Sequence, residues 1–196
     1  MASLRSTAIL DEQFDRLVPR ELQHLSSIHW TPVPVAIRIA ALLCPTPRTF
    51  VLDVGSGVGK LCSIGALATQ ATWIGVERHG PFVSAARDIA RSLGVTDRTM
   101  FVHGDAFAVD WGNFDVLYFY NPFELAFGDE RTDRAGDAAR VQKRLAALPG
   151  HTRIVTLHGF GGVMPSTFEL LYHERLDEIG VDLALWRQRG RGSSRS

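Results

Sequence analysis

Asp53, Gly55, Gly57, Gly59 and Lys60 are the residues whose types and spacing point most directly to chemistry. They follow a short apolar run, Phe50, Val51 and Leu52, and precede the mostly apolar stretch from Leu61 to Ala68. A strand ending in a glycine turn that opens a helix brings backbone N–H groups and a helix N-terminus up against a ligand. Spacing separates the ligands such a turn could hold. A phosphate-gripping loop needs glycine at position 54 and Ser or Thr at position 61, which here are Val54 and Leu61. A dinucleotide loop needs its third glycine at position 60, where this chain has Lys60, with Gly59 one place early. The pattern that remains is an acid, one spacer, then G-x-G-x-G, set against the alternative of an ordinary glycine-rich loop.

That pattern resembles motif I of the class I S-adenosylmethionine (SAM) methyltransferases. The resemblance implies that Gly55, Ser56, Gly57 and Gly59 bring the backbone close to the methionine part of SAM, while Asp53 orients its amino group. Further motifs arrive in the family's order. Glu77 lies 24 positions after Asp53 at the end of Thr72 to Glu77, where an acid can accept hydrogen bonds from a ribose diol. Arg78 and His79 follow where a side chain packs on the adenine, with Phe82 as an alternative. Gly104-Asp105-Ala106 resembles motif III, in which Asp105 accepts from the adenine amino group and the Ala106 backbone reads a ring nitrogen.

The acceptor end falls on Asn121-Pro122-Phe123, after the apolar run Phe114 to Tyr120. It partly resembles the N-P-P-[YF] motif of amine methyltransferases, with one proline fewer, and the N-N-[FY] step of lysine methyltransferases. The resemblance implies that Asn121 and Pro122 accept from an amino nitrogen and that Phe123 holds the acceptor. Glu124, Tyr118 and Tyr120 are the nearest candidates for a general base, and His158 ends the next strand. Trp30 and Thr31, before Pro32, sit where lysine-directed relatives carry a T-P or V-P step that covers the cofactor, so Thr31 joins the cofactor set. The whole is closest to bacterial relatives of the protein-lysine methyltransferases.

Elements that place these residues can be read in order. A first helix from Ser6 or Thr7 carries Leu10, Phe14, Leu17 and Val18 on one stripe. Helices follow at Val33 to Leu43, Leu61 to Ala68, Pro81 to Leu93 and Ala135 to Leu148, with strands at Thr99 to His103 and Thr152 to Leu157. Phe127 to Arg134 reads as an exposed loop or short helix. Phe168 to His173 and Val181 to Arg187 form a closing antiparallel pair. The expected fold is α/β: a doubly wound, mostly parallel seven-stranded sheet with a C-terminal antiparallel strand pair and an N-terminal helical cap. The cap covers residues 1–31 and the methyltransferase domain 32–188, leaving a disordered tail at 189–196.

Composition narrows the function. With 45% hydrophobic and 21% charged residues and a net charge of zero, the chain has no overall field to attract nucleic acid. Neither a leader nor a membrane-length apolar run is present, so the expected address is cytoplasmic with no membrane partner. Cys44 and Cys62 read as small core residues, and no metal-ligand spacing occurs. Lysine is found only at 60 and 143. The expected activity is transfer of a methyl group from SAM to an amine, with a protein lysine favoured as acceptor. A small-molecule N- or O-acceptor, a SAM-binding module without chemistry and an NAD-dependent oxidoreductase are the alternatives.

Overall fold

The computed structural model describes residues 11–43, 45–122 and 134–189. Seven strands make a mixed sheet with helices around it. The chain divides into two compact units, Met1–Val109 and Asp110–Ser196.

In the first unit, β1 (Phe50–Val54), β2 (Thr72–Glu77) and β3 (Thr99–His103) pair in parallel in the order β3-β2-β1. β1 and β2 are buried almost throughout, which their continuous apolar runs require of a strand covered on both faces. Three helices are α1 (Val33–Leu43), α2 (Lys60–Ala68) and α3 (Gly80–Ser92). Gly65 lets α2 lie directly on Trp73, since a Cβ there would sit 2.3 Å from the indole. The Trp73 indole N–H donates to Thr69 just past the end of that helix. Pro81 lies in the first turn of α3, and Gly94, at φ 68°, follows its end.

Among the described residues before α1, the chain is helical over 11–15, turns, and forms short helical turns at Arg20–Leu25 and Ser26–His29. The expected stripe therefore breaks. Phe14 and Val18 are buried, while Leu17 falls in the turn and is exposed. Leu10 and the proposed caps Ser6 and Thr7 lie outside the described residues.

The second unit orders its strands β4 (Val116–Tyr120), β5 (Arg153–Leu157), β7 (Val181–Gln188) and β6 (Phe168–Leu176). β4 and β5 are parallel, and β7 runs antiparallel to both β5 and β6. Helix α4 (Arg134–Ala146) buries Val141 and Leu145 completely. It stops two residues before the expected Leu148, where Ala147 and Leu148 take tighter three-residue bonds.

β5 begins and β7 ends one residue later than the sequence reading, and two strand boundaries differ from it by more. β4 begins at Val116, because Asp110 accepts from the Gly112 N–H and draws Trp111–Asn113 into a short turn to which Phe114 is bonded. β6 runs on to Leu176, since the polar pair Glu174 and Arg175 stays in the ladder opposite Leu183 and Asp182. Arg175 is tied across the strands to Asp182 at 3.0 Å. Among the described residues no helix is long and apolar enough to cross a membrane.

Candidate cofactor site

The site starts with a turn that only glycine makes easily. Gly55, Gly57 and Gly59 have φ of 77°, 54° and 71°, all in the left-handed region. The Gly55 and Ser56 N–H groups donate to the Val76 carbonyl at 2.9 and 3.1 Å, fastening the turn to the end of β2. Gly55 is exposed, while Ser56 to Lys60 are buried.

The three glycines do different work. A Cβ at Gly57 would meet Nε1 and Cδ1 of the Trp30 indole at 2.8 and 2.9 Å, so this glycine admits an aromatic lid against the turn. A Cβ at Gly59 would lie 2.4 Å from the Phe101 ring, so that glycine seats the start of α2 against β3. Ser56 keeps its side chain below the turn. Its hydroxyl turns down onto Gly75 of β2, where a Cβ would come within 2.5 Å, and it is buried with no hydrogen-bond partner among the described residues. Only the Ser56 backbone can serve a ligand above the turn.

Glu77 is buried, and both of its carboxylate oxygens are engaged. Oε2 accepts from the Gly57 N–H at 3.0 Å, and Oε1 accepts from the His79 N–H at 2.8 Å and lies 2.9 Å from His79 Nδ1. Its carboxylate thus stitches the turn after β1 to the turn after β2. A carboxylate offers about four acceptor positions, so capacity remains for a ligand hydroxyl. His79 leans on Phe82 at 5.4 Å between centroids, and Phe82 meets Trp30 edge-on at 6.3 Å. Arg78 extends to solvent, and its carbonyl lies 3.0 Å from His103 Nε2.

Asp53 lies beneath the turn, buried, within 3.6 Å of the Cys62 thiol that donates to it. Burial pushes its carboxyl up to about 7, against the Cys62 hydrogen bond and with the nearby charge of Glu77. The folded chain then keeps a proton that the unfolded chain releases near pH 4, so stability falls as pH rises from about 4 to 7 and levels off above. Asp53→Asn is therefore expected to be more stable than the parent at pH 8 by at least about 1 kcal/mol. The two should converge at pH 4; urea unfolding at both values checks this.

Thr31 is buried beside Trp30. Asp105 is exposed and spends Oδ1 on the Phe107 N–H at 2.8 Å, capping the short turn Ala106–Ala108.

The acceptor candidates belong to the second unit. Asn121 has φ 42° and His158 φ 58°, the two non-glycine residues with positive φ among those described. They follow the adjacent parallel strands β4 and β5, and the Asn121 N–H donates to the Gly159 carbonyl at 2.9 Å. Pro122 follows in a turn; Phe123 and Glu124 lie outside the described residues. Tyr118 is buried within β4.

No family model matches the sequence. The solved RNA methyltransferase of Salinibacter ruber, in complex with S-adenosylhomocysteine, matches with a TM-score of 0.65 and 23% identity, over 84% of this chain and 96% of that one. The chain has the class I methyltransferase fold. A SAM-dependent methyltransferase of Thiobacillus denitrificans, also in complex with S-adenosylhomocysteine, is 25% identical with a TM-score of 0.51, over 71% of this chain and 55% of that one. Among curated proteins, the uncharacterized YjhP of Escherichia coli K12 is 37% identical over 60 residues, which are 31% of this chain. The match spans about a quarter (24%) of YjhP. Many neighbours that share the methyltransferase fold are SAM-dependent methyltransferases, and several were crystallised with S-adenosylhomocysteine or SAM. Their acceptors differ, from RNA to mitomycin, so this methyltransferase fold does not select the acceptor.

Proposed function

We propose that this chain is a SAM-dependent methyltransferase whose cofactor lies on the turn from Asp53 to Gly59. The observation that carries the reading is the joint between Glu77 and Gly57, which sets a buried carboxylate beside a left-handed glycine turn. That pair fits an adenosyl group: the carboxylate takes the ribose diol and the turn takes the amino-acid end. When bound, SAM supplies a sulfonium methyl carbon to which the acceptor's lone pair bonds as the carbon–sulfur bond breaks.

The chain's own residues bind and orient. Glu77 accepts from the diol, and the backbone of Gly55, Ser56 and Gly57 passes along the methionine part. Gly59 keeps that backbone low by its packing. Asp53 faces the amino group, whose positive charge would hold it ionised, so binding near pH 6 should release a proton. Thr31 covers the methionine end, Asp105 and Ala106 take the adenine edge, and Arg78 flanks the ring.

The acceptor is an amine nitrogen, with a protein lysine preferred, held by Asn121, Pro122 and Phe123. A non-glycine residue kept in a left-handed conformation costs on the order of 1 kcal/mol, a strain found most often at functional sites. Asn121 is held in that shape by the bond its N–H donates to the Gly159 carbonyl. Such an acceptor must be deprotonated when it attacks, so the site has to lower the pKa of a lysine amine.

The test is label transfer from methyl-tritiated SAM into a cell lysate. Label in a protein band is the expected result. Label only in small molecules or RNA would replace the acceptor, and no labelled product would leave a binding module. Asn121→Asp tolerates the left-handed backbone and keeps an accepting oxygen, but its negative charge favours the protonated amine, so it should cut the transfer rate about tenfold at neutral pH. Its affinity for S-adenosylhomocysteine should stay within about threefold of the parent.

A further inference from the structure

Lys60 was set aside by every ligand loop in the sequence, yet it is among the most buried side chains in the fold. It is 2% exposed at the first residue of α2, where a positive charge opposes the helix dipole. A lysine is almost never buried unless it is paired. Its Nζ lies 2.5 Å from Asp11 Oδ1, 3.2 Å from Asp15 Oδ1 and 3.0 Å from the Ser26 hydroxyl, and 5.3 Å over the Phe14 ring. Three donors meet three oxygens, so the ammonium is fully used and does not reach the glycine turn.

All of those partners come from the segment before the first strand. Ser26 also donates to Asp15 at 2.6 Å, and Asp11 accepts from the Val33 N–H that opens α1 at 2.9 Å. The stretch between Ser26 and Val33 is therefore gripped at both ends by groups that converge on one ammonium. That stretch contains Trp30 and Thr31, and the Trp30 edge lies 2.8 Å from where a Cβ at Gly57 would be.

We propose that Lys60 is a positioning residue for the cofactor, fastening residues 11–31 across the start of α2 so that Trp30 is held against Gly57. This rests on the function proposed above. Apolar residues could supply comparable stability at such a place, whereas an ammonium with three fixed acceptors specifies one placement.

Lys60→Met tests the proposal in two ways. Trypsin should cut at the exposed Arg16 and Arg20 at least about tenfold faster, because local opening governs that cleavage. The dissociation constant for S-adenosylhomocysteine should rise about tenfold, as it should for Trp30→Ala, and the double variant should be no weaker than Trp30→Ala alone. Unchanged affinity in Lys60→Met, or effects that simply add, would overturn the proposal. If the parent chain does not bind S-adenosylhomocysteine, the functional reading fails, and the trypsin rates still decide whether the fastening exists. Should Lys60→Met not fold, Asp15→Asn keeps the Asp11 pair and is read by the same measurements, with smaller shifts in the same direction supporting the proposal and none overturning it.

Discussion

Glu77→Ala is expected to weaken S-adenosylhomocysteine binding by about 10- to 100-fold, the effect of removing a charged acceptor from two hydroxyl groups. It should also destabilise the fold in the absence of any ligand. The same carboxylate accepts from the buried Gly57 N–H and from the half-buried His79 N–H, and its removal takes this acceptor from both. Each such loss costs about 1–3 kcal/mol, so a fall of about 2 kcal/mol or more in unfolding free energy should accompany the lost affinity. Glu77→Gln separates the two effects. Its amide oxygen can satisfy one backbone donor while the negative charge is gone, so stability should recover further than affinity. Calorimetric titration and urea unfolding of both variants check the two quantities, and a parent-like affinity in Glu77→Ala would remove the diol assignment.

Gly59→Ala should cost about 3 kcal/mol of stability with no ligand present. A left-handed backbone costs an alanine on the order of 1 kcal/mol. The added Cβ would lie 2.4 Å from the Phe101 ring and 3.0 Å from the Ala86 Cβ, and overpacking of that kind adds about 1–3 kcal/mol. Phe101 is buried and cannot swing into solvent. Gly57→Ala makes an instructive comparison. Its φ of 54° carries a similar backbone cost, but the Cβ meets the Trp30 edge, which belongs to the N-terminal segment. That variant should lose less stability than Gly59→Ala and more cofactor affinity. Thermal unfolding with and without S-adenosylhomocysteine would separate the two glycines; equal losses in both would show that the turn acts as one unit.

The sequence was readable where one kind of residue determined the outcome. Thr72 to Glu77 and Thr99 to His103 are strands with the expected limits, because apolar runs bounded by polar turns leave little choice. Pro81 and Gly94 likewise mark the two ends of α3. The reading failed where side chains outside the local pattern took control. Asp110 pulls Phe114 out of β4 by capping a turn, and cross-strand pairing keeps Glu174 and Arg175 inside β6. The direction of Ser56 depends on the absence of a side chain at Gly75, 19 positions away, which no local periodicity reveals. Lys60 was illegible for the same reason, since Asp15 is 45 positions upstream.

The concealment of Lys60 also bears on how the protein can be handled. With lysine only at 60 and 143, and Lys143 standing in solvent on α4, amine-directed acylation at neutral pH should modify Lys143 and the chain's terminal amine while sparing the hidden position. A fluorophore attached at Lys143 would thus report from one known internal point, with no cysteine chemistry needed.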